Sequence, residues 1–289
     1  METILQLLIS GVGYGCIYCL VAIEYSVIFK ATGLINFSHE KWIMLGAYVF
    51  AATLIRTLGL GFIESFILTA VIMALFGSVI AITIFNPLRN MPSTLYVVVG
   101  TIMLANILSE LARLIWGSSP FHLENFFSGT ANIGSVVLPN VMVWIIVITG
   151  IFLFLQYLLF NKTKLGKAMR CVSSDKMAAS LMGINVSQNI VFTVAYSAVI
   201  CGIIGIMVIP IFNVDVNMAG MIALKGFAAS VVGGFGTIPG AIVGALFIGL
   251  TENIYLLFGP GIYKDVVAFA MLILFLIIRP QGIIGKKKS

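Results

Sequence analysis

The chain has 289 residues, of which 61% are hydrophobic and only 9% are charged, and its mean hydropathy is +1.14. A soluble domain is about half apolar and a quarter charged, so this composition excludes a soluble globular protein built around one core. The net charge of +6 does not indicate nucleic-acid binding, because the cations are few and lie between apolar runs. The expected fold class is an all-α polytopic membrane protein.

The apolar runs predict about eight transmembrane segments, since about 20 apolar residues cross the hydrocarbon core as a helix. Turn residues such as Asn86-Pro87 separate the runs. The run at 221–232 is too short to cross untilted, so it is predicted to be a half-helix or a short, broken span. In chain order the runs are residues 4–29, 43–60, 62–85, 94–116, 136–160, 188–212, 221–232, 241–257 and 266–278.

The polar stretch NFSHEK, residues 36–41, separates the first two runs and contains no glycine or proline. Ser38 or Asn36 is suited to cap a new helix, with Glu40 near the positive end of the helix dipole. Two interpretations stay open. The stretch is either an interfacial helix start with a snorkelling Lys41, or a break inside the bilayer whose polar groups face a cavity.

Glu24, Glu110 and Glu252 are further acidic side chains within the predicted spans. Glu110 shares a helix face with Asn106 and Arg113, at i, i+4 and i+7, which predicts either a satisfied polar face or part of an outer vestibule. The sequence identifies no partner for Glu24 or Glu252.

Basic residues predict the orientation, because cytoplasmic loops carry an excess of Lys and Arg. The loop at 161–187 and the last residues of the chain are therefore expected on the cytoplasmic side, and the N-terminus outside. The cations that decide this are Lys162, Lys164, Lys167, Arg170, Lys176, Lys286, Lys287 and Lys288.

The same loop contains a predicted short amphipathic helix. Ser174 is the expected N-cap, Asp175 lies in the first turn, and Gly183 ends the helix. The helix either lies against lipid headgroups or docks a cytoplasmic partner. Its predicted apolar face comprises Met177, Ala178, Leu181 and Met182.

Glycines are unusually dense between residues 225 and 250, and such a tract weakens helices and permits close backbone approach. Transporters built from two related halves often interrupt one helix in each half and place the substrate path between the interruptions. The tract is therefore a candidate second break. Its main residues are Gly233, Gly234, Gly236, Pro239, Gly240, Gly244 and Gly249.

Four segments, in this order, resemble the permease subunits of branched-chain amino acid ABC importers. They are GLINFSHEKWIMLGAY, LGKAMRCVSSDKMAASLMGIN, GGFGTIPGAIVGALFIGLTE and IIRPQGIIGK. The resemblance implies the ABC importer permease fold, with residues 1–289 as a single transmembrane domain and residues 161–187 as its cytoplasmic coupling loop. The chain departs from the family at Glu40-Lys41, where a small residue and then an acid are usual, and at Met177, where an acid is common.

This resemblance implies a permease subunit of an ATP-driven importer in a bacterial or archaeal cell (inner) membrane, with no enzyme activity, cofactor or metal of its own. The implied partners are a second, related permease subunit, two cytoplasmic ATPases and an extracytoplasmic substrate-binding protein. The substrate is expected to be a branched-chain or related small amino acid, or an amide such as urea. The chain contains no GxxxxGK[ST] phosphate loop.

Two sets of residues are candidates for this function. The predicted substrate pathway comprises Asn36, Phe37, Ser38, His39, Glu40, Asn106, Glu110, Gly233, Gly234, Gly236 and Pro239. The predicted ATPase coupling site comprises Arg170, Ser174, Asp175, Ala178, Ala179, Leu181 and Gly183.

Two alternatives belong to other classes. A secondary transporter or channel acting alone would use Glu24, Glu110 and Glu252 as ion sites, and the basic loop argues against it. An intramembrane metalloprotease would need the HExxH pattern that His39-Glu40 begins, but residue 43 is Ile43.

Overall fold

The computed structural model describes residues 2–88, 91, 93–123, 129–133 and 136–284, and these residues are mainly helical. The α-helices are α1 (Glu2–Thr32), α2 (His39–Tyr48), α3 (Phe62–Ile80), α4 (Asn86–Leu88), α5 (Thr94–Trp116), α6 (Asn140–Lys162), α7 (Lys164–Ser174), α8 (Lys176–Leu181), α9 (Val186–Val208), α10 (Gly220–Gly233), α11 (Ile238–Tyr255) and α12 (Lys264–Ile278). A π-helical segment, Val49–Thr57, continues α2, and a second, Ala81–Phe85, continues α3. A short 3₁₀ turn, Gly261–Tyr263, precedes α12.

One antiparallel pair of strands adds to the helices. Strand β1 (Thr130–Ile133) pairs with β2 (Val136–Pro139), with Thr130 opposite Pro139. The predicted span at 136–160 therefore begins four residues too early, because the chain is extended up to Pro139 and α6 starts at Asn140.

Within the residues that the structure describes, seven helical stretches are long and apolar enough to cross a membrane. They are Ile4–Thr32, Phe62–Leu88, Leu95–Trp116, Asn140–Lys162, Val186–Val208, Ile238–Tyr255 and Gly261–Ile278. Helix α2 has ten residues and its π-helical continuation has nine, and together they form one uninterrupted helical stretch. This stretch is an eighth membrane segment beside the seven, so the prediction of about eight membrane segments is confirmed. The short apolar run is α10, a helix of 14 residues.

Polar side chains fix where several helices begin. Ser93 caps α5 by accepting from the Leu95 N–H, and Thr163 caps α7 by accepting from the Gly166 N–H. Asn185 caps α9 in the same way. Each cap satisfies one of the N–H groups that the first turn of a helix leaves without an internal partner.

The contacts divide the chain into two compact units. Unit 1 comprises Met1–Ser26, Glu124–Leu153 and Met221–Ser289, and unit 2 comprises Val27–Leu123 and Phe154–Gly220.

In unit 2, α9 packs against α2 and α3 through small residues. A Cβ on Gly46 of α2 would collide with the backbone of Gly202, and one on Gly205 would collide with the backbone of Ile43. Gly77 of α3 lies equally close to Ala198. Small residues let apolar helices approach to backbone contact, so this side of the core is set by helix-on-helix packing.

In unit 1, α1 and α11 make the same kind of contact, with Gly11 and Gly15 against Gly249. Helix α10 lies close to α1 where Gly226 meets Val21. Helix α12 packs on α11 through the rings of Phe247 and Phe275, whose centroids are 5.7 Å apart.

Candidate functional site

The polar break follows directly from the way α1 ends. Gly33 has a φ of +79°, a left-handed conformation that favours glycine, and its N–H donates to the Phe29 carbonyl at 2.7 Å. The Thr32 hydroxyl donates to the Ile28 carbonyl and accepts from the Leu34 N–H at 3.0 Å. The chain then runs without helical structure until α2 begins at His39.

Inside the break, Asn36 organises the turn. Its Oδ1 accepts from the N–H of Ser38 at 3.0 Å and from the Ser38 hydroxyl at 2.6 Å. Ser38 holds the predicted N-cap position of α2 but makes no side-chain capping bond, because its hydroxyl is turned to Asn36. Glu40 lies in the first turn as predicted.

The break is in the protein interior and is not an exposed loop. Asn36, Ser38 and His39 are almost fully buried, and only Phe37 is exposed. The Asn36 Nδ2 is buried and has no hydrogen-bond acceptor among the residues that the structure describes. Buried donors without an acceptor are uncommon in folded proteins.

Lys41 does not snorkel to a surface, so that part of the interfacial interpretation is wrong. Its side chain is 10% exposed, and its Nζ lies 2.9 Å from Glu40 Oε1. The same ammonium group donates to the Val216 carbonyl at 3.1 Å. Glu40 and Lys41 are the residues at which this chain differs from the family pattern. Through Lys41 they connect the start of α2 to the segment between α9 and α10.

His39 is close to Cys201 of α9, with 3.4 Å between Nε2 and Sγ, and its ring stacks on Trp42. Within the described ranges, no group of three or more His, Cys, Asp or Glu side chains is placed to hold a metal ion.

The predicted polar face on α5 contains an ion pair between Arg113 Nη1 and Glu110 Oε1, at 2.7 Å. Both side chains are exposed, at 44% for Arg113 and 64% for Glu110, and Asn106 is exposed too. These residues lie in unit 2, as does the break.

The glycine tract belongs to unit 1 and does interrupt a helix. Helix α10 ends at Gly233, Gly234 and Gly236 lie in the irregular stretch that follows, and Pro239 is in the first turn of α11. Gly233 and Gly240 approach so closely that a Cβ on either would meet the backbone of the other.

The end of the chain closes this break, which the sequence did not indicate. The N–H groups of Ile283 and Ile284 donate to the carbonyls of Val232 and Gly233, at 2.9 and 3.0 Å. Gly282, with φ +76°, lies against Gly234 where a Cβ has no room. The segment therefore satisfies carbonyl groups at the end of α10 that have no partner within the helix.

A buried network of charges also lies in unit 1. Lys225 Nζ is 2.5 Å from both Glu252 Oε1 and Asp265 Oδ1, and the Tyr18 hydroxyl donates to Glu252 Oε2 at 3.1 Å. The Lys225 and Glu252 side chains are only 5% and 2% exposed. Lys264 approaches the same carboxylate, at 3.8 Å. Sequence reasoning found Glu252 but missed its partners, because they come from three other helices.

The predicted helix in the long loop is α8, and Asp175 is its N-cap. Asp175 Oδ1 accepts from the N–H groups of Met177 and Ala178 at 2.8 and 3.0 Å. The prediction of Ser174 as the cap is wrong, because Ser174 ends α7 and its hydroxyl donates to the Arg170 carbonyl. The chain leaves α8 through Gly183, where φ is +80°, as predicted.

Helix α8 has one buried and one exposed side. Ala179 is buried, and the N–H of Ala178 is held by the cap. The exposed apolar side comprises Met177, Leu181 and Met182, at 77%, 85% and 78% exposure. Arg170, one helix earlier, donates to Asn161 Oδ1.

A family model described as "Branched-chain amino acid transport system / permease component" matches residues 7–276. The chain belongs to this permease family. It is a multi-pass membrane protein, consistent with the seven long apolar helices found among its described residues.

Among the relatives of this permease are two bacterial proteins that match along nearly their whole length. The high-affinity branched-chain amino acid transport system permease protein LivH of Escherichia coli (strain K12) is 31% identical, over 98% of this chain and 96% of LivH. BraD of Pseudomonas aeruginosa, described in the same words, is also 31% identical over the same shares. The solved structure "PsaBC from Streptococcus pneumoniae in complex with Fab" is also similar, in a match that covers 97% of this chain and 91% of that chain, at 16% identity and a TM-score of 0.48.

Proposed function

We propose that the chain is the membrane-spanning permease subunit of an ATP-driven importer for branched-chain or related small amino acids. The match of residues 7–276 to the permease family carries the proposal, and full-length relatives described as branched-chain amino acid permeases support it. On this proposal the chain hydrolyses no ATP, and its partners are two cytoplasmic ATPases, a second, related permease subunit and an extracytoplasmic binding protein. It lies in the cell (inner) membrane of a bacterium or archaeon with its C-terminus cytoplasmic.

The exposed side of α8 supports an ATPase docking role. Three large apolar side chains stand on one side of a helix whose start is fixed by Asp175. Apolar groups rimmed by charged residues are typical of protein contacts. At the position of Met177 the family commonly has an acidic residue. In this chain, apolar packing against the ATPase is proposed to take over the docking role of that acid.

The substrate pathway is proposed at the two breaks. The burial of Asn36, Ser38 and His39 supports this role, since polar backbone and side chains at membrane depth are found where they line a cavity or are enclosed by protein. The Asn36 Nδ2 is suited to donate to the carboxylate of an amino acid. At the second break, the residues proposed to line the pathway are Gly233, Gly234, Gly236 and Pro239. The outer vestibule is proposed to include Asn106 and Glu110.

The alternative of a transporter acting alone is less well supported. Glu252 and Glu110 are both held in ion pairs with basic side chains. A carboxylate bound to a fixed cation is a poor site for reversible ion or proton binding.

The test is reconstitution into proteoliposomes with the ATPases and the binding protein, followed by uptake of labelled leucine. We expect uptake only when ATP is supplied on the side of the membrane that carries the ATPases. Leu181→Asp should remove both uptake and co-purification of the ATPases, because it places a charge in the docking surface.

Phe258→Asp is the matched control, since Phe258 is 81% exposed, close to the value for Leu181, but lies in the turn after α11 and outside the candidate spans. Retained uptake in that variant shows that an added surface charge alone is tolerated. Uptake that follows an ion gradient without ATP would overturn the proposal in favour of a transporter acting alone.

A further inference from the structure

We propose that Lys176 is a positioning residue that links α8 to the polar break, through the end of α1. This inference rests on the proposed function. It concerns unit 2 alone and assigns a role to a lysine that the family resemblance does not single out.

Lys176 is the first residue of α8 and reaches the last residue of α1. Its Nζ donates to the Thr32 carbonyl at 2.7 Å. Carbonyls in the last turn of a helix have no partner within the helix, and a cation there also interacts favourably with the helix dipole. The hydrogen bond is charge-assisted, which makes it one of the stronger kinds in proteins.

From Thr32 the connection to the break is short and buried. The carbonyl of Thr32 holds Lys176 while its hydroxyl accepts from the Leu34 N–H at 3.0 Å. Two residues further on, Asn36 forms the turn with Ser38. Thr32, Leu34, Asn36 and Ser38 are buried and Gly33 is exposed, so a displacement of Thr32 reaches the turn mainly through packed residues.

On the other side, the position of Lys176 is fixed by α8 itself. Asp175 closes the first turn of the helix through two hydrogen bonds. The adjacent Met177 is part of the exposed docking side. Because a single helical turn joins the docking side to the lysine, a movement of α8 must move the Lys176 backbone too.

A cavity lies beside this contact and leaves space for such a movement. Its volume is about 440 Å³, and its lining includes Phe29, Lys30, Gly33, Ser174 and Met177. The joint between α8 and the end of α1 is therefore not packed solid around the lysine.

The test compares Lys176→Met with Lys167→Met in the reconstituted importer. Both changes remove one positive charge from the same loop, but Lys167 belongs to α7 and lies outside the joint. For Lys176→Met we expect ATP hydrolysis and assembly to persist while leucine uptake per ATP falls about tenfold, the factor that corresponds to loss of one charge-assisted hydrogen bond. Lys176→Arg, which keeps a donor, should restore most of the uptake.

Two results would overturn the link. One is uptake per ATP in Lys176→Met equal to that in Lys167→Met. The other is a parallel fall in uptake, hydrolysis and thermal midpoint, which would make Lys176 a structural cap only. A wild-type importer without ATP-dependent uptake is a distinct result, because it refutes the proposed function, and this link falls with it.

A second measurement covers the case in which Lys176→Met does not fold. In a chain whose native cysteines are replaced by serine, Lys30→Cys and Ser174→Cys place two thiols on the wall of the cavity and leave Lys176 intact. Joining them with a short bismaleimide should lower uptake per ATP, because the joint can no longer shift. Unchanged uptake after complete cross-linking would refute the proposal.

Discussion

Replacing Glu252 with Gln tests the buried charge network of unit 1. The change leaves the size of the side chain nearly unaltered but removes the negative charge that Lys225 and the Tyr18 hydroxyl contact. Lys225 keeps Asp265, whose side chain is 37% exposed and is thus the weaker partner. The structure therefore predicts a protein that folds but is markedly less stable.

The size of the effect follows from burial. Removing one partner of a buried ion pair costs about 3–5 kcal/mol, and the remaining contact with Asp265 places this case near the lower figure. At roughly 2–4 °C per kcal/mol for chains of 150–250 residues, about 3 kcal/mol corresponds to a fall of roughly 6–12 °C in the thermal midpoint. Glu110→Gln is the matched control, because its exposed pair with Arg113 is expected to contribute about 0–1 kcal/mol.

The assay is thermal unfolding of the purified variants in one detergent at one protein concentration. The double variant Lys225→Met, Glu252→Gln should be more stable than Lys225→Met alone, since it no longer buries a carboxylate whose nearest remaining cation, Lys264 Nζ, is 3.8 Å away. Equal thermal midpoints for Glu252→Gln and Glu110→Gln would refute this reasoning. A double variant whose loss of stability equals the sum of the losses in Lys225→Met and Glu252→Gln would also refute it.

Two further predictions concern packing and orientation. Gly46→Ala should destabilise the protein by about 1–3 kcal/mol because its Cβ collides with Gly202, whereas Gly150→Ala, at a helical position with open space, should be neutral or gain about 0.5–1 kcal/mol. Thermal midpoints compare the two, and equal losses would contradict the packing described. A membrane-impermeant maleimide should label exposed Cys171 in inside-out vesicles but not in intact cells, with buried Cys201 unreactive in both. Cys171→Ser is the control, and labelling of intact cells would reverse the predicted orientation.

The helices were predictable because each membrane span corresponds to a long run of apolar residues in the sequence. The predicted run at 94–116 coincides with α5, and most other spans differ by a few residues at their ends. The two breaks were also visible, one as a polar stretch between apolar runs and the other as a glycine tract. These signals are local, so a single sequence carries them.

The interactions that join distant segments were not predictable. The bond from Lys176 to Thr32 spans 144 positions, and that from Tyr18 to Glu252 spans 234. Nothing in the spacing of these residues relates them, because helix periodicity extends only over neighbouring turns. The wrong choice of Ser174 over Asp175 as a cap has a local cause, since both residue types favour that position and the boundary between α7 and α8 falls between them.

The closing segment at Gly282 to Ile284 has a practical consequence for handling this protein. A chain shortened before Gly282 would lose the N–H donors to the Val232 and Gly233 carbonyls, and the end of α10 would no longer be covered by this segment. Affinity tags and fluorescent reporters should therefore be appended beyond residue 284, and a loss of activity on trimming the tail would reflect damage to the glycine-rich interruption itself.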